Sequence, residues 1–237
     1  MTARPSRLGR TLGGLWDWTR SIGGALLVVL LLRTFLIEAY HIPSGSMERT
    51  LLAGDWLFVN KALYGAEVPV LHTHLPPVRE PRRGDVVVFD AKHDPHEKIV
   101  KRLIGLPGDT LAMRASHLIR NGVLVDEPYA VHTDTAETGG PWREVMREWQ
   151  LRHVMTDTAA YHPDLQNWGP LVVPHDSLFV LGDNRENSLD SRFWGFLPRK
   201  NLRGSPMFVY FSYDAASTDA MPWMTEVRWG RVGESVK

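Results

Sequence analysis

The chain has no cysteine among its 237 residues. That rules out disulfides, thiolate catalysis and any cysteine-ligated zinc or iron–sulfur site. It does not fix the compartment, because exported bacterial proteins often lack cysteine too. Net charge is absent as well: 27 Lys and Arg balance 27 Asp and Glu. No basic stripe with interleaved aromatics appears, so nucleic acid is not an expected partner. The G-x-S-x-G elbow and HExxH are both missing, so neither an α/β-hydrolase triad nor a zincin gains support. Ten histidines leave His72/His74 and His93/His96 to consider as metal ligands. The proline between His93 and His96 breaks helical ligand geometry, and no carboxylate-bridged set accompanies either pair. No metal and no other cofactor is expected. Internal repeats and low-complexity tracts are lacking too.

Long apolar runs are equally scarce, and the one present lies near the N-terminus. Arg4, Arg7, Arg10 and Arg20, against Asp17 alone, precede SIGGALLVVLLLRTFLIEAY, Ser21 to Tyr40. A bilayer core of ~30 Å needs about 20 helical residues. Ser21 to Tyr40 meets this when Arg33 and Glu38 sit near the far interface, where long side chains snorkel. A cleaved signal peptide has an apolar region of this size, but no A-x-A site follows. A buried core helix is the other alternative, though four arginines just upstream are unusual for one. The segment is read as a single transmembrane anchor, 21–40, behind a basic cytoplasmic N-terminus, 1–20. The arginine excess places residues 41–237 across the membrane as one extracytoplasmic domain.

Beyond the anchor, strand signals dominate. DWLFVNKAL, GDVVVFD, EKIVKRLIGL, LIRNGVLVD, DSLFVLGD and PMFVYFSYD are short apolar or alternating runs bounded by Gly, Asp, Asn or Pro, as strands and turns require. Asn121-Gly122 between β-formers is a strong hairpin signal. With 16 prolines and 20 glycines, a loop-rich, mostly β domain is expected. Residues 65–82 read as an extended excursion. Residues 126–167 read as a variable insertion, helical near Trp142 to Val154.

Three segments carry candidate chemistry. In HIPSGSM, Pro43 and Gly45 make a tight turn around Ser44 and Ser46. It is either a linker turn or one that presents Ser46 as a nucleophile and aims backbone N–H groups at an oxyanion. A serine nucleophile needs a base. Lys101 is the candidate, because strand alternation sets it between Ile99 and Leu103 on one face. Burial there lowers its pKa from ~10.4 toward the ~7–8 of a general base. The competing reading is a lysine snorkelling from a half-buried strand. His41 competes as base but sits poorly, five residues from Ser46 across the turn. The third segment, LGDNRENSLDSRFWGFLP, is intensely polar between apolar flanks. It is either a solvated turn or a buried network, with Ser188 able to bond a neutral lysine. Asp190 and Arg192, as alternate residues, would pair on one face of an extended strand.

These segments resemble the bacterial type I signal peptidases, the Ser/Lys leader peptidases. IPSGSM, GDWLFVNKALYG, RGDVVVF, VKRLIGLPGD, WGPLVVP, GDNRENSLDSRFWGFLP and VRWGRVG occur in the family's order behind a basic-flanked anchor. The resemblance covers most of 33–125 and 168–232 and leaves the 126–167 insertion outside. It implies a membrane-anchored antiparallel β catalytic domain of the signal peptidase type. Ser46 would be nucleophile and Lys101 general base. Ser44 would complete an oxyanion hole with the Ser46 N–H, and Ser188 would orient the lysine. Asp190 and Arg192 would form a structural ion pair, and Ile42, Met47 and Val100 would line the substrate cleft.

The activity implied is removal of signal peptides from exported preproteins through an acyl-enzyme, with small side chains preferred at −1 and −3. It would take place at the outer face of the bacterial cytoplasmic membrane, in contact with lipid. Two departures stand out. The family's usual M-x-P-T-L proline is Arg49 here, and its usual aspartate is Glu186. Relatives in the endoplasmic reticulum use histidine in place of the lysine, so Lys101 favours the bacterial or organellar type. A catalytically inactive tethered binding module and a self-cleaving Ser/Lys repressor are the alternatives. The intact Ser/Lys pair argues against the first, and the absence of a DNA-binding helical domain argues against the second.

Overall fold

The computed structural model describes residues 7–68, 73–92, 94, 97–132, 142–156 and 158–237. His72, His93 and His96 therefore lie outside the described residues. The first element is a 29-residue helix, α1, Arg7–Phe35. From Trp18 its side chains are almost wholly exposed, and Trp18–Phe35 is an 18-residue stretch of mean hydropathy 1.3. Among the described residues it is the one helix long and apolar enough to cross a membrane.

The helix stops at Phe35, short of Tyr40. Residues 37–41 instead form a strand, β1 (Ile37–His41), paired antiparallel with β2 (Asp55–Asn60) from Ile37↔Asn60 to His41↔Trp56. A neighbouring strand satisfies their backbone groups in a way that composition alone does not announce.

The remaining strands are β3 (Glu67–Val68), β4 (Thr73–His74), β5 (Val86–Asp90), β6 (Lys98–Gly105), β7 (Thr110–Arg114), β8 (His117–Arg120), β9 (Val123–Leu124), β10 (Trp168–Val172), β11 (Ser177–Leu181), β12 (Leu197–Pro198) and β13 (Leu202–Ser212). Seven of them form an antiparallel sheet in the order β1-β2-β13-β5-β6-β11-β12. Register shifts in β13 and β11 mark bulges, which bend strands and raise local twist. A second sheet runs β10-β7-β8-β9, and β3-β4 makes a short hairpin within the 65–82 excursion. The β8–β9 hairpin turns on Asn121 and Gly122 at φ 54° and 79°, the left-handed pair that a tight hairpin requires. Two further helices, α2 (Trp142–Gln150) and α3 (Ser191–Trp194), pack against each other beside the second sheet.

Three apolar clusters hold the domain. One lies under the serine turn and contains Ile42, Met47, Leu51, Leu57, Val59, Val86, Val88 and Val209. A second contains Val87, Phe89, Leu103, Leu178 and Val180, with Ile99 packed against it. The third joins the second sheet to α2 and to Phe193 of α3. The first two flank the site.

Candidate active site

Residues 42–54 link β1 to β2 as a tight loop. The Ile42 N–H donates to Asp55 O at 2.8 Å, and the Gly54 N–H donates to Ile42 O at 2.9 Å, closing its base. Ile42 and Met47 are only 5% and 1% exposed. These two buried anchors bracket Pro43-Ser44-Gly45-Ser46, so the turn stands on packed side chains. Inside it the Glu48 N–H donates to Gly45 O at 3.0 Å, and the Leu51 N–H donates to Met47 O at 2.7 Å.

Lys101 rises from the middle of β6, with Val87 of β5 opposite it in the ladder. It is 4% exposed. Its strand neighbours two residues either way, Ile99 and Leu103, belong to the same apolar cluster as Val87, which provides the surroundings that alternation along the strand called for. Lys101 Nζ donates to Ser46 Oγ at 2.5 Å. Ser46 is the amine's one hydrogen-bond partner among the described residues. Burial pulls the pKa of Lys101 from 10.5 down to about 8, against Asp190 and Asp183 and with help from Arg192.

The polar loop after β11 is buried. Asp190 pairs with Arg192, both 0% exposed, but not across an extended strand. Asp190 is instead the N-cap of α3, its carboxylate accepting from the Arg192 N–H, and the guanidinium folds back onto it through Nε and Nη2, both at 2.8 Å. Four residues too short to show a helical period hid that turn. Burial pushes the Asp190 pKa up, but Arg192 and hydrogen bonds from the Gly182 N–H and Ser188 hydroxyl outweigh it and hold it below the usual range. Ser188 Oγ donates to Asp190 at 2.8 Å. It makes no hydrogen bond to Lys101, but its partner Asp190 is one of the charges that act on the amine. Ser44 is exposed, and its hydroxyl has no partner among the described residues.

Ile42, Ser44, Ser46, Met47, Val100 and Lys101 meet at one cavity of about 370 Å³, with Glu97, Lys98, Asn187 and Leu189 also on its walls. Ile42 and Met47 are chiefly core residues that reach its floor, whereas Val100 is half-buried along its wall. A larger cavity of about 660 Å³ beside Tyr64, Leu75 and Pro198 contains no serine or histidine, and its one lysine, Lys200, is exposed. Among the described residues no cluster of His, Asp and Glu is arranged to hold a metal ion.

Several residues that motif reading left aside fix the site. A Cβ on Gly182 would lie 2.3 Å from Ser188 Oγ and 2.5 Å from Ser46 O, so only glycine fits where the polar loop crosses the serine turn. Asn184 ties the two together. Its N–H donates to Ser46 O at 3.2 Å, and its Nδ2 donates to Gly45 O at 3.3 Å and to Glu48 Oε2 at 3.0 Å. Behind them Arg102 and Asp183 form a buried pair at 2.6 Å, which Thr50 Oγ1 joins by donating to Asp183 at 2.5 Å. A glycine at the end of an apolar strand, just before a polar run, was the available signal.

The family model described as "Signal peptidase, peptidase S26" matches residues 15–211. Signal peptidase I of Pseudomonas aeruginosa is 35% identical over 227 residues, covering 90% of this chain and 78% of that protein. Signal peptidase I of Leptolyngbya laminosa is 36% identical over 197 residues, covering 80% and 76%. A solved signal peptidase I from Enterococcus faecalis overlaps in part, with 28% identity and a TM-score of 0.36 over 54% of this chain and 97% of that one.

Proposed function

The chain belongs to the signal peptidase family, peptidase S26, and on that premise we propose that it cleaves signal peptides from exported preproteins with a Ser46–Lys101 dyad. The observation that carries this is the 2.5 Å contact between a buried lysine and a serine held on a packed turn. A pKa of about 8 leaves a useful fraction of neutral amine near neutral pH, and in that form the Ser46 O–H donates to Nζ.

Ser46 Oγ attacks the scissile carbonyl carbon as its proton passes to Lys101. The oxyanion is met by the Ser46 N–H and by Ser44 Oγ, donors to the developing charge of the kind that commonly contribute most to the rate. Lys101 then protonates the leaving amine, and the signal peptide stays as an ester on Ser46. A water that loses its proton to Lys101 hydrolyses the ester. Asp190, Arg192 and Ser188 hold the charged surroundings of the amine. The modest cavity bordered by Ile42, Met47 and Val100 suits small side chains at −1 and −3 of an extended preprotein.

The apolar helix α1 fits a membrane anchor. The arginine excess before it puts the N-terminus in the cytoplasm and the 41–237 domain outside. Exposed Trp223 and Trp229, at 51% and 74%, then rest on lipid. The test is preprotein cleavage by the full-length protein beside Ser46→Ala and Lys101→Met. Each variant should lose at least about a thousandfold in kcat. Near-normal turnover by either one excludes the dyad. Preprotein binding without cleavage by the wild type would mark a binding module instead.

A further inference from the structure

Residues 126–167 carry none of the short motifs that mark the site, although the family model spans them, and their described parts grip the polar loop at both ends. At the near end Glu127 binds the buried Arg185 guanidinium through two bonds of 2.7 and 2.9 Å. The Tyr129 ring lies 3.9 Å from the Arg102 guanidinium. The Val131 N–H donates to Asp183 O at 2.7 Å, and Val131 O accepts from the Arg185 N–H at 3.0 Å.

At the far end α2 buries Met146, Trp149 and Gln150. Trp149 Nε1 and Gln150 Nε2 both donate to one acceptor, the carbonyl of Arg192, at 2.6 and 3.1 Å. Gln150 Oε1 accepts from the Tyr161 hydroxyl, which accepts in turn from the Gly169 N–H at 2.8 Å. A surface insertion needs none of this. Its backbone ordinarily runs over the exterior, and a buried amide bonded at both its nitrogen and its oxygen specifies one arrangement of its neighbours.

We propose that residues 127–131 and α2 brace the catalytic loop, and that Trp149 and Gln150 are positioning residues that act through Arg192 on Lys101. The inference rests on the Ser46–Lys101 reading. Fixing the Arg192 carbonyl fixes α3 and its cap Asp190, whose carboxylate collects the Gly182 N–H, the Ser188 hydroxyl and the Arg192 guanidinium. Gly182 abuts both Ser188 and the Ser46 carbonyl. The charged groups acting on Lys101 are Asp190, Arg192 and Asp183, all carried by the braced loop. The serine turn contributes Ser46, and β5 sets uncharged Val87 opposite. A slack loop admits water beside the amine, weakens its desolvation and returns it toward an ordinary lysine.

The test is preprotein cleavage across pH by full-length wild type, Trp149→Phe, Gln150→Met and the double variant, with Ser46→Ala and Arg147→Ala as references. Phe at 149 keeps a ring against Phe196 and His153 and deletes the N–H donor together with part of the buried ring, so its Tm is read beside its pH limb. In the double variant the ascending limb of kcat/KM should move up by about 0.5–1 pH unit. That lowers kcat/KM at neutral pH roughly 3- to 10-fold, through kcat and not KM.

Arg147→Ala removes the bond from Nε to Tyr161 O, a contact within the insertion, so it should lower Tm and leave the limb in place. A double variant with lowered Tm and an unmoved limb overturns the brace. Turnover by Ser46→Ala overturns the dyad itself, so the two failures are distinguishable. Should the double variant not fold, Gln150→Met alone carries the comparison.

Discussion

A buried lysine makes stability depend on pH, and Lys101 fixes the sign. Its folded pKa of about 8 lies below the 10.5 of an exposed lysine. Between those values the unfolded chain holds a proton that the folded chain does not, so stability rises with pH across that window. Below pH 8 the folded state carries the whole penalty of a buried ammonium, about 3 kcal/mol for such a shift. Lys101→Met should therefore be inactive yet more stable by about that amount near neutral pH. Its advantage should fade to nothing above about pH 10.5, as chemical denaturation at several pH values will read. Loss of stability in Lys101→Met at neutral pH would mean that the amine is not held against its preference. Arg49 is a second residue with a readable sign. It sits at φ 80°, a left-handed conformation in which a side chain costs roughly 1–2 kcal/mol. Arg49→Gly should relieve about 1 kcal/mol of this, raising Tm without touching the dyad. Arg49→Pro should destabilise, because the ring demands φ near −65°.

At the scale of elements, what could be read depended on whether the cue was local. The strands β2, β5, β6, β8, β9, β11 and β13 announce themselves by short apolar runs between turn residues, and the Asn121-Gly122 hairpin by its dipeptide. β1 was hidden because its residues prolong the apolar run of the anchor, and only the ladder with β2 makes them a strand. β7 and β10 lack a clean alternation, and a proline interrupts β10. The serine turn and the strand lysine were legible as residue types. Their 2.5 Å meeting across 55 positions was not, since no local pattern encodes a long-range contact. The α3 turn was missed for its length, and its cap yields a prediction. Asp190→Asn keeps a cap acceptor but leaves the Arg192 guanidinium buried without its counter-charge, which should cost about 3–5 kcal/mol. It also removes the charge that raises the Lys101 pKa and spares the Arg192 charge that lowers it. The ascending limb of the pH–rate profile should then move to lower pH, opposite to the shift expected from loosening α2. Opposed shifts separate lost charge from lost position. A limb that moves upward in Asp190→Asn would show that hydration of the amine outweighs the carboxylate.

For the molecule as a whole, the anchor and the domain make different demands on the same interface. Trp18–Phe35 is apolar and 0% buried, and at ~1.5 Å per residue these 18 residues extend about 27 Å, close to a bilayer core. The helix passes directly into β1, at the edge of the large sheet, so the serine turn that follows lies only a few residues beyond the membrane end. Along that edge His41, Trp56, Phe58, Phe208, Tyr210 and Tyr213 form a chain of ring contacts with centroids 4.3–6.4 Å apart. An aromatic face of this kind suits the headgroup region. A cleavage site at the end of a signal peptide's own apolar helix would arrive at the same depth. Orientation decides whether the site meets it. Positive charge counted close to the span sets orientation, and here Arg4, Arg7, Arg10 and Arg20 lie on one side against Arg33 at the other. Replacing those four with glutamine should turn a uniform population into a mixed one. Protease added to intact spheroplasts should digest the 41–237 domain of the wild type and spare a fraction of the variant. Inside-out vesicles should show the complementary fraction, and preprotein processing should fall in proportion. A variant that stays uniformly accessible from outside would show that the folded domain, and not the arginines, commits the chain to its orientation.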